Sequence, residues 1–248
     1  MQYGISYLSV IPVYFTPSEL NGITTQLLFG DYFKITSQKG DWVKIKISYD
    51  NCIGWIKRSQ TTFINKEIYT QLQSTTRRYS LDIVSHIEIE QYANTVILGS
   101  LLPTIKELPF EYHGTSVSGK RNKLYLLKTA ALYLNTPEHF GGKTPFGIDA
   151  GAFVQMVYKI NGYSLLRTPL LQSAQGTALS FVEESEPGDL AFFDNDQGII
   201  THVGIIMKEN YIIHVAGKVR VDRLDHTGIF NNEINNYTHT LRVIKKII

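Results

Sequence analysis

Phe146-Gly147-Ile148-Asp149-Ala150-Gly151-Ala152-Phe153-Val154-Gln155-Met156-Val157-Tyr158 reads as a glycine-containing turn running directly into an amphipathic helix. Phe153, Val154, Val157 and Tyr158 recur at helical spacing, and Asn161-Gly162 supplies the stop. A helix that begins at Asp149 or Ala150 points unpaired backbone N–H groups and the positive end of its dipole at that residue. A cysteine there would be a strong nucleophile, because such a site favours the thiolate. The residue present is Ala150, whose methyl group has no nucleophilic chemistry.

On the N-terminal side, Asn122 caps an expected helix through about Leu134. Leu124, Leu127, Ala131 and Leu134 give it one apolar stripe, and Asn135-Thr136-Pro137 ends it. On the C-terminal side, Pro187-Gly188 turns into a strand over 189–193. Residues 201–207 and 211–216 read as strands joined by Lys208-Glu209-Asn210, with further strands over 218–222 and 240–247. A helix pair followed by antiparallel strands is an α+β pattern.

Residues 4–64 read as short strands with closely spaced turns. Trp42-Val43-Lys44-Ile45-Lys46-Ile47 alternates strictly, the signature of a half-buried strand. Strands this short suggest a small barrel or sandwich. Residues 65–117 are less regular, with strands expected over 87–89 and 95–98. Residues 116–122 are polar and form a candidate linker.

At 248 residues the chain has room for one large domain or two to three small ones, and its apolar content supports a sizeable core. The net charge of +2 is too small to imply nucleic acid or an acidic membrane as partner. No stretch approaches the length of a membrane span, and the start has no signal-peptide pattern, so the chain is expected to be soluble. Cys52 is the sole cysteine, so no intramolecular disulfide forms. It reads as a packed small side chain between strands.

Ser9-Val10-Ile11-Pro12-Val13, Gln26-Leu27-Leu28-Phe29-Gly30-Asp31, Gly40-Asp41-Trp42-Val43-Lys44-Ile45 and Gly54-Trp55-Ile56 together resemble a bacterial SH3-like barrel. In it, Trp42 and Trp55 face peptide or glycan on the functional reading, or pack into the core on the plainer one, which fits most of their area. The C-terminal half resembles the NlpC-type peptidases, papain-like bacterial cell-wall hydrolases. The matching words are Leu134-Asn135-Thr136-Pro137, 141–149, 153–158, Pro187-Gly188-Asp189-Leu190, Thr201-His202-Val203-Gly204-Ile205 and Ile213-His214. With an SH3-like barrel ahead of it, the chain is most similar to the γ-D-glutamyl-L-diamino-acid endopeptidases. The fold implied is multidomain: an SH3-like barrel over 1–64, a second degraded SH3-like domain or linker over 65–117, and a papain-like α+β domain over 118–248.

The resemblance implies a cysteine nucleophile at the position of Ala150, His202 as general base and His214 as the residue orienting it. Spacing agrees: the two histidines lie six residues on either side of Lys208, so a hairpin centred there sets them face to face. His86, His113, His139, His226 and His239 read as structural. The resemblance also implies that Asp149 reads the free amine of the substrate's N-terminal L-Ala. Three departures touch substrate-binding positions. Glu138 stands for a substrate-contacting Tyr, Gly151-Ala152 for Ser-Gly, and Arg167-Thr168 for Arg-Asp. An engineered inactive variant changes the cysteine alone, so these further changes argue for natural loss of catalysis.

The expected function is therefore that of an inactive member that binds stem peptides or a related ligand. The alternatives are an active endopeptidase carrying an engineered Ala150, and an interaction module that acts through its SH3-like part above a vestigial cleft. The expected partner is a peptidoglycan stem peptide or muropeptide. The expected location is a bacterial cytoplasm, or the periplasm or envelope if a signal peptide was removed. No cofactor is expected. A metal held by Asp149, His202 and His214 has little support, because neither histidine pair shows ligand spacing within one element.

Overall fold

The computed structural model describes residues 2–248. They form two compact units. The first is the chain through Lys120 with Phe140–Pro145 and Gly162–Ser164; the second is Arg121–His139, Phe146–Asn161 and Leu165–Ile248.

In the first unit, β1 (Gln2–Ile5), β2 (Val10–Tyr14), β3 (Ile23–Leu28), β4 (Tyr32–Lys39), β5 (Trp42–Ile47), β6 (Ile53–Lys57) and β7 (Thr62–Ile64) form one sheet. Its order is β3-β2-β6-β5-β4-β1-β7. The alternation in β5 sends Val43, Ile45 and Ile47 inward, to a core shared with Ile11, Val13, Leu27, Phe33, Ile35 and Ile56. Trp42 and Trp55 lie on the opposite, outer face and are only half-buried. There Tyr14 meets Trp42 edge-on, and the Lys57 and Lys44 ammonium groups lie over the Trp42 and Trp55 rings, each 5.9 Å from the centroid. Core packing thus does not account for these indoles: the pleat that buries Val43 turns its neighbour out. Cys52 packs against this core, as expected.

Residues 65–118 are folded as well. Asn65 caps α1 (Lys66–Ser74), and β8 (Arg78–Ser80), β9 (Val84–Ile89), β10 (Tyr92–Ile97), β11 (Glu111–Tyr112) and β12 (Ser116–Ser118) follow. The sheet order is β10-β9-β11, with β12 paired to β8. Tyr69, Leu72, Tyr79, Leu101 and Leu108 share a core with Ile5 and Tyr32, so this segment packs on the first sheet within one unit. The short β13 (Lys143–Thr144) also belongs to this unit.

The second unit contains α2 (Leu124–Ala131), β14 (Gly147–Ile148), α3 (Ala150–Ile160), α4 (Pro169–Ser173), β15 (Thr177–Leu179) and β16 (Leu190–Asp194). It continues with β17 (Ile200–Ile206), β18 (Tyr211–Ala216), β19 (Lys218–Leu224), β20 (Gly228–Asn231) and β21 (Asn236–Lys246). The strands are antiparallel in the order β15-β21-β16-β17-β18-β19-β20, and β20 pairs back onto β21. Six strands, β16 to β21, therefore close into a barrel. Ala191, Phe193, Ile206, Ile212, Leu224, Ile229 and Ile244 form one core cluster on it.

Helix α2 packs on α3, and α3 packs on β17 and β18. Two helix readings need correction. In α2 the buried side chains are Leu126, Thr129 and Ala130, continued by Tyr133 past the helix, while Leu124, Ala131 and Leu134 are exposed. The segment carries two apolar stripes, and the other one faces α3. Helix α3 is not amphipathic, since every residue from Ala150 to Ile160 is buried. Its stop is as expected: Asn161 caps the end and Gly162 follows at φ +84°. Among the described residues, no helix is long and apolar enough to cross a membrane.

Candidate active site

Ala150 opens α3, and Asp149 precedes it in extended conformation as the N-cap, accepting a hydrogen bond from the Ala152 N–H at 2.8 Å. That satisfies one of the orphan donors of the helix start. The same carboxylate is gripped at both oxygens by Arg167, whose Nη1 and Nη2 lie 2.8 and 2.5 Å from Oδ1 and Oδ2. This two-pronged pair is the strong form of a charge-assisted contact. A substrate amine reaching Asp149 would meet a carboxylate already neutralised by a buried guanidinium.

The segment after α3 is fitted to a side-chain-free position 151. A Cβ built on Gly151 would lie 2.6 Å from the Arg167 carbonyl oxygen and 2.9 Å from Pro169 Cδ. Gln172, buried, donates from Nε2 to the carbonyls of both Gly151 and Leu166, at 2.9 and 2.8 Å. Thr168 caps α4 by accepting from the Leu171 N–H, and Pro169 occupies the first turn, where no N–H is missed. Glu138 is tied down too: its Oε2 accepts from the Gly217 N–H at 2.7 Å, while its own N–H donates to the Gly217 carbonyl. It thereby staples residues 137–139 to the β18–β19 turn.

His202 on β17 and His214 on β18 meet side by side in the sheet. Their Nε2 and Nδ1 atoms are 2.9 Å apart and their rings are nearly perpendicular. The hairpin register differs from the one expected. Gly204, not His202, stands opposite His214. The turn is centred one residue later, with Glu209 and Asn210 both at φ +59°, so His202 is the diagonal neighbour. A shift of two residues in the partner strand preserves the face, which is why the contact survives.

Beyond His214 the chain of contacts continues. His214 Nε2 lies 2.9 Å from Asp222 Oδ2, and Asp222 is held by Arg220 at 2.6 and 3.0 Å. Arg220 in turn meets Glu233 at 2.9 Å. The carboxylate only accepts, so Nε2 of His214 carries the proton. In a neutral His214, Nδ1 then accepts from the Nε2–H of His202, and the lone pair of His202 is left at Nδ1. Burial pushes the Asp222 carboxyl up, but hydrogen bonds from His214 and Arg220 outweigh this and hold it below the usual range.

A third imidazole completes the cluster. His239 of β21 stacks on His202 with ring centroids 4.1 Å apart and planes 28° from parallel, and Phe193 lies against both. Burial pushes His202 well below its ordinary value, with the neighbouring His239 and His214 adding to the effect. Burial likewise lowers His239, to about 4. Ring nitrogens of His202, His214 and His239 lie within 4.8 Å of one another. Near-parallel stacking sets the lone pairs of His202 and His239 side by side rather than converging, and His202 and His214 already bond each other, so the arrangement suits proton relay better than metal ligation.

Sequence reasoning missed Asp222, Arg220 and His239. Arg220 is directly opposite His214 and Asp222 is two residues on, so both follow from reading Gly217 as the turn between β18 and β19. His239 reaches the cluster through the pairing of β20 with β21, which carries a bulge at Ile229/Phe230. No local pattern marks it.

Residues 135–237 match the NlpC/P60 family, and residues 13–60 match the bacterial dipeptidyl-peptidase Sh3 domain. A gamma-D-glutamyl-L-lysine dipeptidyl-peptidase of Bacillus subtilis (strain 168) is 27% identical, covering 78% of this chain and 72% of that protein. One of the same name from Bacillus cereus is 25% identical, over 78% and 67%. The crystal structure of an NlpC/P60 family protein from Bacillus cereus ATCC 10987 shares the fold, with a TM-score of 0.83, 20% identity and 99% of each chain covered. An NlpC/P60 endopeptidase from Photobacterium damselae subsp. piscicida gives 0.66 at 16% identity, over 97% and 70%. Residues 135–237 thus carry an NlpC/P60 domain, and residues 13–60 ahead of them a bacterial Sh3 domain.

Proposed function

We propose that this chain binds peptidoglycan stem peptides of the L-Ala-γ-D-Glu-L-diamino-acid class without hydrolysing them. The observation that carries the reading is Ala150 at the start of α3, where the family places its nucleophile, in a unit whose strands β17 and β18, packed on α3, hold His202 and His214 of the His202–His214–Asp222 relay. The relay orients a base, but no thiol is there to be deprotonated and no acyl-enzyme forms. His202 alone would have to activate water. Removing the nucleophile from such a unit forfeits on the order of 10⁶-fold in rate in the best-studied serine case.

The packing around Gly151 supports natural loss. A serine there would drive its Cβ into the Arg167 carbonyl, so the 167–169 segment as it stands fits glycine at 151. Glu138, where the family's tyrosine contacts substrate, serves as a backbone staple. The names of the relatives point to γ-D-glutamyl-L-lysine peptides as the ligand to try first. The site of action is the bacterial envelope, or the cytoplasm where wall fragments are recovered.

The test combines calorimetry with L-Ala-γ-D-Glu-L-Lys and an assay for release of L-Ala-D-Glu. Saturable binding without turnover, and little turnover after Ala150→Cys, is the expected result. Strong turnover by Ala150→Cys alone would establish the second reading, an endopeptidase silenced by an engineered residue. Absence of binding would leave the SH3-like part as the functional one.

A further inference from the structure

A second cluster of ligating side chains lies far from this chemistry in sequence. Strands β9 and β11 are antiparallel, with Glu88 opposite Glu111 and Ile87 opposite Tyr112. One step along the same register brings His113 opposite His86. Side chains alternate along a strand. Ile87 points inward, to a core with Phe29, Val96 and Leu102, so His86, Glu88, Glu111 and His113 stand together on the outer face. The sequence reads as His-x-Glu on one strand facing Glu-x-His on the other.

The two imidazoles are 5.4 Å apart between centroids. One oxygen of Glu88 sits between them, 3.9 Å from His86 Nε2 and 3.7 Å from His113 Nε2, while Glu111 Oε2 is 3.9 Å from His113 Nε2. The ligand atoms of His86, Glu88 and His113 all lie within 4.8 Å of one another. A tetrahedral ion bound at about 2.0–2.2 Å sets its ligands roughly 3.4 Å apart. The carboxylate–imidazole distances exceed this by a few tenths of an ångström, and the widest pair, within 4.8 Å, by at most about 1.4 Å, which rotation of these exposed side chains closes. The platform beneath them is fixed. The Tyr112 hydroxyl bonds Ser80 and Asp82, and Asp82 also accepts from the Thr115 N–H, so the β11 segment is already held against its neighbours.

We propose that His86, Glu88, Glu111 and His113 form a site for a borderline divalent transition ion such as Zn²⁺. Two imidazole nitrogens and carboxylate oxygens suit zinc, nickel or copper; magnesium and calcium prefer all-oxygen shells. The ion would clip β11, only two residues long, onto β9 and so brace this part of the first unit. The site is independent of the peptide-binding reading.

The experiment uses the full chain, free of any affinity tag and dialysed against EDTA, titrated calorimetrically with ZnCl₂ and separately with MgCl₂. One Zn²⁺ per chain and no Mg²⁺ is expected. His86→Asn and His113→Asn should each weaken Zn²⁺ binding by at least the roughly 10–100-fold that loss of an outer-shell partner costs. Both positions are exposed, and far-ultraviolet circular dichroism confirms the fold. His226→Asn, an exposed histidine elsewhere, should change nothing. No saturable Zn²⁺ binding, or binding that persists in the double variant, overturns the proposal. So does binding lost in His239→Asn, which would place the ion at the His202 cluster.

Discussion

Gly204 stands directly opposite His214 across the β17–β18 ladder, and a Cβ on Gly204 would lie 2.9 Å from the Cβ of His214. The same Cβ would press on Ile212 at 2.7 Å. The missing side chain is what lets His214 lean to its diagonal neighbour His202. Gly204→Ala should destabilise the second unit by about 1–3 kcal/mol, the usual range for overpacking. Nitrogen NMR of the imidazoles should also show the His202–His214 hydrogen bond lengthened or lost. An alanine variant with unchanged melting and unchanged imidazole shifts would show that the close approach is not needed.

Asp222 accepts from His214 and from two nitrogens of Arg220, all in a buried setting. Asp222→Asn leaves the Arg220 guanidinium with Glu233 as its one remaining carboxylate partner, and with the Asn oxygen turned to Arg220 its amide N–H faces His214 and no longer fixes that tautomer. The expected loss is about 2 kcal/mol or more in chemical denaturation. The Nδ1-protonated form of His214 should also appear in the NMR spectrum, which a purely structural carboxylate would not cause.

Acid should weaken the second unit in a window set by its histidines. His202 and His239 are both held below their ordinary value, so the folded chain keeps them neutral where the unfolded chain, near about 6.5, takes up protons. Stability is then complete above that value and falls as pH drops toward about 4, where His239 itself protonates. Asp222, whose folded carboxyl is also lowered, loses its contribution only in the lower carboxylate range. Thermal melts between pH 7.5 and 4.5 should show the decline, and His239→Gln should flatten it. A melting temperature constant across that range would contradict the assignment.

Gly151 and Ala152 should respond unequally to the serine and glycine that the family resemblance implies at these positions. Gly151→Ser forces a side chain against the Arg167 carbonyl and Pro169, and should cost about 1–3 kcal/mol. Ala152→Gly only loosens a buried helical position, costing about 0.5–1 kcal/mol. Equal melting temperatures for the two variants would remove the packing argument for natural divergence.

What could be read from sequence was set by the range of the interaction. The β5 alternation and the α3 cap and stop depend on neighbours a few residues away, and they stand as expected. The His202–His214 contact was foreseen with the wrong register, since two positive-φ residues at the turn are not visible in Lys208-Glu209-Asn210. The stripe of α2 was misassigned because both of its sides carry leucines, and only α3 decides which is covered. The engagement of Asp149 by Arg167 could not be foreseen, since it depends on a loop following the contour of Gly151.

Barrel closure has a consequence for biosynthesis. Strand β21 pairs with β15, β16 and β20 at once, so the ring cannot shut until that strand has left the ribosome. Contacts of such long sequence separation form slowly. His202 and His214 are made first, on the interior strands β17 and β18 of a sheet still open at β16 and β20. His239 arrives with the closing strand, so the stacked imidazole and the dry environment around His202 appear in the same late step of folding.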